Sequence, residues 1–271
     1  MQDQAAGGIR ILTLAQLSLG EPWQVGLLHR RDMHVVLWIT RGQGRILLHG
    51  LRRGFGAHNA VFIPAGKLFS MDAGRHVIGQ ALLIPADGRV PLPERVQHLR
   101  LQDGFAQSEL TGLLDAMRRE IEDGQPLLEE ALRAHAMLVS VWLRRQMDLV
   151  GTEPRRTAAG RLVLRFCDQM SRDYRSGRVA ADYAEALDIT PTHLARVCKA
   201  SAGLSAAEMI SEVVQHEARR LLTRSDQPIK EIAASLGFGS AAYFSRFSQQ
   251  HFHKTPSQIR KATHPIASAA Q

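Results

Sequence analysis

In the stretch SAAYFSRFSQQHF (240–252), two alanines, Ala241 and Ala242, stand ahead of an aromatic run that carries a single arginine, Arg246. Tyr243, Phe244 and Phe247 are expected to bury one side of a helix, which leaves Arg246 beside the buried stripe and the helix start bare. An arginine held that way can give two hydrogen bonds to guanine O6 and N7, or reach a phosphate. Small side chains at the start let a helix sit deep in a major groove and touch a thymine methyl. The chemistry offered by this spacing is the reading of base edges.

The element that must position these residues occurs twice. DYAEALDITPTHLARVCK (182–199) aligns with EIAASLGFGSAAYFSRFSQ (231–249), the second being one residue longer at the turn. Ala184 matches Ala233, Leu187 matches Leu236 and Ile189 matches Phe238. Beyond the turn Leu194, Arg196 and Val197 match Phe244, Arg246 and Phe247, and the flanks GLSAAEM (203–209) and HKTPSQI (253–259) also correspond. Each copy has the logic of a helix-turn-helix. A small residue, Ala184 or Ala233, permits close helix crossing. Gly237 supplies a positive φ at the turn, where Asp188 is a tolerable substitute. Ile189 or Phe238 then anchors the turn in the core.

Charge is distributed to suit. Residues 1–154 carry 17 Lys and Arg against 16 Asp and Glu, whereas residues 155–271 carry 17 against 10. A basic excess confined to the duplicated part points to a polyanionic partner for that part. Two cysteines, Cys167 and Cys198, form no CxxC pair, so neither a disulfide framework nor a cysteine-based zinc site is expected, and a reducing cytoplasm is the expected setting. No apolar run is long enough to span a membrane, and the polar start MQDQAAGG has no signal-peptide character.

At 271 residues, more than one domain is expected. The chain reads as α+β. WQVGLLH, HVVLWIT, GRILLHG and AVFIP are runs of strand formers between Trp23 and about Ile84, which suggests a small antiparallel barrel or sandwich over residues 1–95. Two amphipathic stretches separated by Gly124 and Pro126 predict a helical hairpin over 96–150. Its apolar content, notably Leu110, Leu113, Leu138 and Trp142, exceeds what one face on a sheet needs; it either packs a core or forms a self-association surface, and a homodimer is expected from the second. GTEPRRTAAG (151–160) reads as a linker and 161–265 as all-helical.

HEARRLLTRSDQPIKEIAASLGFGSAAYFSRFSQQHFHKTPSQIRK (216–261) resembles the signature of the AraC/XylS family of bacterial transcription regulators. The Ile-x-x-Ile-Ala, the Gly-Phe turn, the Tyr-Phe-Ser-Arg-x-Phe and the late Thr-Pro fall in register, and the likeness spans roughly 160–262. It implies a seven-helix domain with two helix-turn-helix motifs joined by a long helix, here about 206–223, that enter successive major-groove segments of double-stranded DNA. Base-facing positions carried over are Thr192, Ala195 and Arg196 in the first motif and Ala241, Ala242, Ser245 and Arg246 in the second, with His193 and Lys199 beside phosphates. His253 departs from the family, which often has glycine there. Activation more often than repression, and RNA polymerase as a further partner, are implied in the same way.

HVVLWITRGQGRILLHGLRRGFGAHNAVFIPAGKLFSM (34–71) resembles the cupin-like effector domain common in that family, although the family often has histidine where Phe69 stands. The expectation is a small organic effector inside a barrel, with His34, Trp38, Phe69 and Met71 as pocket candidates. No cofactor and no catalytic residue are expected. The alternative, a metal-dependent cupin enzyme with an accessory helical domain, needs several histidines and a carboxylate converging on an ion. Here His29 and His34 are five apart and no glutamate lies between 22 and 93. A regulator without any effector is a third reading.

Overall fold

The computed structural model describes residues 8–18, 20–74, 76–150 and 157–263. They form two compact units: one of the described residues up to Thr157, apart from Leu27–His29, and one of Leu27–His29 with Ala158 onward.

The first unit is β-rich. Its elements are β1 (Arg10–Thr13), α1 (Leu14–Leu17), α2 (Trp23–Gly26), β2 (Met33–Arg41), β3 (Gly44–Leu48), β4 (Leu51–Phe55), β5 (Asn59–Ile63), β6 (Phe69–Ala73), β7 (Ile78–Pro85), β8 (Gln97–Arg100), α3 (Gly104–Asp123) and α4 (Leu128–Val150). Two antiparallel sheets result, in the orders β1-β7-β2-β5-β8 and β4-β3-β6. WQVGLLH does not form the expected strand. Pro22 opens a single helical turn there, closed by the Gly26 N–H donating to Pro22 O at 2.9 Å, as suits a proline at a helix start.

Period-two alternation sends the side chains of β2 to two different cores. Val36 and Trp38 join Phe62, Leu82, Leu110, Leu114 and Trp142 in a core between the five-stranded sheet and the helical hairpin. Val35, Leu37 and Ile39 join Ile46, Phe55, Phe69 and Met71 in the core that fills the space between the sheets. The hairpin turns where Gly124, left-handed at φ 59°, caps α3. Leu110 and Trp142, read as surface for self-association, are instead buried in the sheet–hairpin core, whereas Leu138 is half exposed.

The second unit is helical: α5 (Ala158–Asp173), a 3-10 turn (Tyr174–Ser176), α6 (Ala180–Ala186), α7 (Pro191–Ala202), α8 (Ala206–Arg224), α9 (Ile229–Ser235), α10 (Ala241–Phe252) and α11 (Pro256–Thr263). Of the expected linker, residues 151–156 lie outside the described residues, and residues 158–160 already belong to α5. Phe166 meets Tyr183 edge-on at 5.4 Å under the first motif, while Ile232, Leu236, Phe244, Phe252 and Ile259 form the core of the second. Cys167 and Cys198 are both buried and not joined in a disulfide, and burial pushes the Cys198 thiol up to about 12, which makes it inert packing.

Candidate DNA-reading surface

The two helix-turn-helix turns match bond for bond. In the first, the Leu187 N–H donates to Tyr183 O (3.1 Å), Asp188 N–H to Glu185 O (2.9 Å) and Ile189 N–H to Ala184 O (3.0 Å). In the second, Leu236 N–H donates to Ile232 O (3.1 Å), Gly237 N–H to Ala234 O (3.0 Å) and Phe238 N–H to Ala233 O (3.0 Å). Asp188 (φ 59°) and Gly237 (φ 79°) both hold the left-handed backbone that the turn requires. Ala184 and Ala233 are buried where the helices cross, so the small side chain serves in both copies.

Each second helix starts on a hydroxyl cap. Thr190 Oγ1 accepts from His193 N–H (3.2 Å) with Pro191 at the first helical position, and Ser240 Oγ accepts from Tyr243 N–H (3.1 Å). Helix α7 buries Leu194, Val197, Cys198 and Ala202; α10 buries Phe244, Ser248 and Phe252. Ser248 tolerates burial because its hydroxyl donates to Lys254 O at 2.7 Å.

The opposite face holds the residues singled out by sequence. Thr192, Arg196 and Lys199 are exposed on α7, with His193 and Ala195 half-buried beside them. Ala241, Ala242 and Arg246 are exposed on α10, with Ser245 half-buried. Arg196 Nη2 donates to His193 Nδ1 at 3.0 Å, and the Arg246 guanidinium lies 5.9 Å from the centre of the Tyr243 ring. In both motifs, then, the arginine leans on a ring one turn before it. Lys199 Nζ is 3.3 Å from Glu208 Oε2, an exposed ion pair that solvent and salt weaken, so it competes little with a phosphate.

Two residues differ from the sequence reading. Tyr243, expected in the buried stripe, is 55% exposed. Phe247 is half-buried, packing 5.0 Å from Phe238 and 4.5 Å from His251, so the true stripe is Phe244, Ser248 and Phe252 at four-residue intervals. Tyr243 is thus a candidate surface residue that sequence reasoning missed. The repeat could have found it, since Tyr243 aligns with His193.

In the β-rich unit the four pocket candidates do not converge. Trp38 is buried on the hairpin side, where its Nε1–H donates to Thr111 Oγ1 at 3.0 Å. His34 stacks on Phe62 at 5.9 Å, and its Nδ1 accepts from Ala65 N–H at 3.2 Å. Burial lowers the His34 pKa, partly opposed by the charge of Asp87. Phe69 and Met71 face the other way, into the core between the sheets. Among the described residues no three His, Cys, Asp or Glu side chains are grouped so as to hold a metal ion, and no helix is long and apolar enough to cross a membrane.

Sequence comparison with known proteins agrees with the helix-turn-helix geometry. A family model described as a helix-turn-helix domain matches residues 183–262. The chain is 24% identical over 256 residues to the transcriptional activator RhaS of Klebsiella pneumoniae, covering 88% of each. It is 22% identical over 239 residues to the HTH-type transcriptional regulator YijO of Escherichia coli, covering 84% of this chain and 78% of that one. The crystal structure of fatty-acid-bound ToxT from Vibrio cholerae superposes with a TM-score of 0.44 at 11% identity, over 97% of this chain and 98% of ToxT. With the doubled turn, the capped second helices and the matched segment in hand, the chain is a DNA-binding transcription regulator whose helical unit is an AraC-type helix-turn-helix domain.

Proposed function

We propose that this regulator reads two successive major-groove segments, α7 with Thr192, Ala195 and Arg196 and α10 with Ala241, Ala242, Ser245 and Arg246, while His193 and Lys199 contact phosphates. The observation that carries this reading is the bond-for-bond repetition of the turn, which puts the same register of α7 and α10 outward. Tyr243 joins the list through its alignment with His193 and its stacking with Arg246.

The regulator is not an enzyme and works in the cytoplasm. It answers to a small organic effector that enters the β-rich unit between the two sheets, where Phe69 and Met71 lie. His34 and Trp38 belong to the other core, so they respond to occupancy only through the five-stranded sheet. A homodimer through the hairpin rests on the exposed Leu138 and not on Leu110 or Trp142. RNA polymerase is the partner through which a bound activator would act.

The test uses duplexes that the full chain enriches from a random pool. Arg196→Ala and Arg246→Ala should each leave the melting temperature unchanged, because both side chains are exposed. Loss of a guanine contact costs about 1–3 kcal/mol and relaxes one base pair. Loss of a phosphate contact weakens all sequences alike and lowers the salt slope by about one. Wild-type binding by both variants would refute the assigned face.

A further inference from the structure

Gly177 and Gly237 meet backbone to backbone in the helical unit. A Cβ on Gly177 would lie 2.6 Å from Gly237 O, and one on Gly237 would lie 2.2 Å from Gly177 N and 2.8 Å from Arg175 O. Gly177 precedes the first helix-turn-helix, and Gly237 is the turn of the second. Neither can carry a side chain without moving the other's main chain. Both are also left-handed, at φ 75° and 79°.

The segment around Gly177 is pinned on both sides. Before it, Arg175 pairs with Glu217 of α8, the helix between the motifs, and Glu217 also takes two hydrogen bonds from Arg220 (Nε 2.7 Å, Nη2 2.8 Å). The Glu217 side chain is only 8% exposed. Burial pushes its pKa up, but Arg220 and then Arg175 outweigh that and hold it below the ordinary value, so the charge stays on. After it, Arg178 donates to Asp173 Oδ2 (2.7 Å) and Asp182 O (3.0 Å) and lies 4.8 Å from the centre of the Tyr183 ring. Tyr183 OH donates to the other oxygen of Asp173 at 3.0 Å. These pairs tie the loop to α8 on one side and to α5 and α6 on the other.

We propose that the Gly177–Gly237 contact, held by the Arg175–Glu217 and Arg178–Asp173 pairs, is a positioning device that fixes α7 against α10 and so sets the base-pair spacing this regulator accepts. This rests on the reading that both helices read DNA. A duplex gains about 3.4 Å and about 35° per inserted base pair, and a body locked at this contact cannot follow such a change.

The experiment measures the full chain on its pool-enriched duplex and on derivatives with one base pair inserted or deleted between the two read segments. Wild type should lose about tenfold or more on either change. In Gly177→Asn the side chain tolerates the left-handed backbone, so the new Cβ is the main disturbance. This variant should bind the original duplex more weakly and discriminate spacings by no more than about threefold. Should it fail to fold, Glu217→Gln, which keeps the shape and removes the charge that holds Arg175, should flatten the same profile in part. Equal weakening at every spacing with the steep profile intact, in whichever of the two variants folds, would overturn the proposal. A wild type indifferent to spacing would instead overturn the two-helix reading, and this inference with it.

Discussion

His253 holds the C-cap of α10 at φ 56°, the position that Gly203 fills at φ 76° after α7. His253 stands where the family resembled often has glycine. The structure keeps the same left-handed cap, with the His253 N–H donating to Gln249 O at 3.1 Å. A side chain in that conformation costs about 1 kcal/mol or more relative to glycine. His253→Gly should therefore raise stability by about 1 kcal/mol and leave DNA binding unchanged, as thermal or urea unfolding would show. An unchanged or lower midpoint would mean that the histidine ring returns what its backbone loses.

At the scale of elements, α10 distinguishes a side chain that holds the motif from one that merely leans on it. Phe244 is fully buried, whereas Phe247 is half-buried at the edge of the same cluster. Phe244→Ala should cost about 3–5 kcal/mol. Phe247→Ala should cost about 1–2 kcal/mol, in proportion to the smaller area it hides. Urea unfolding of the two variants ranks them, and equal losses would contradict the buried stripe at Phe244, Ser248 and Phe252. The misplacement of Tyr243 has a physical cause. Tyr243, Phe244 and Phe247 are apolar alike, but an α-helix turns about 100° per residue, so adjacent Tyr243 and Phe244 cannot face the same way. Composition says which residues want burial, and packing allots the places.

For the molecule as a whole, acid should act on both units. Burial lowers the pKa of His34 in the β-rich unit, against the pull of Asp87, and that of His251 in the helical unit. A histidine with a lowered folded pKa binds its proton first in the unfolded chain. Stability is therefore intact above 6.5 and falls as pH drops from there through the lowered folded values. The Glu212 carboxyl, pushed up chiefly by burial, counts in the opposite direction, so the readout is a comparison with variants. His34→Gln and His251→Gln should each flatten the decline of melting temperature between about pH 7 and 5. Variants that decline as steeply as wild type would show that these rings do not feel the burial.

The sequence by itself determined the helical unit almost completely, because its information is local. A turn that needs a positive φ, a hydroxyl cap, an alanine at a crossing and an apolar stripe all lie within about twenty residues, and the duplication states them twice. The α+β class, the hairpin break at Gly124 and the outward placement of Arg196 and Arg246 were legible on the same grounds. Only the tertiary structure decided how β2 divides its side chains. Val35, Leu37 and Ile39 are as apolar as Val36 and Trp38, so no alternation in the sequence marks a face, and the two cores exist only once the second sheet and the hairpin cover opposite sides. That is why His34 and Trp38 part from Phe69 and Met71. The same holds for Gly177 and Gly237: sixty residues separate them in the chain, and nothing local to either tells that it must leave room for the other.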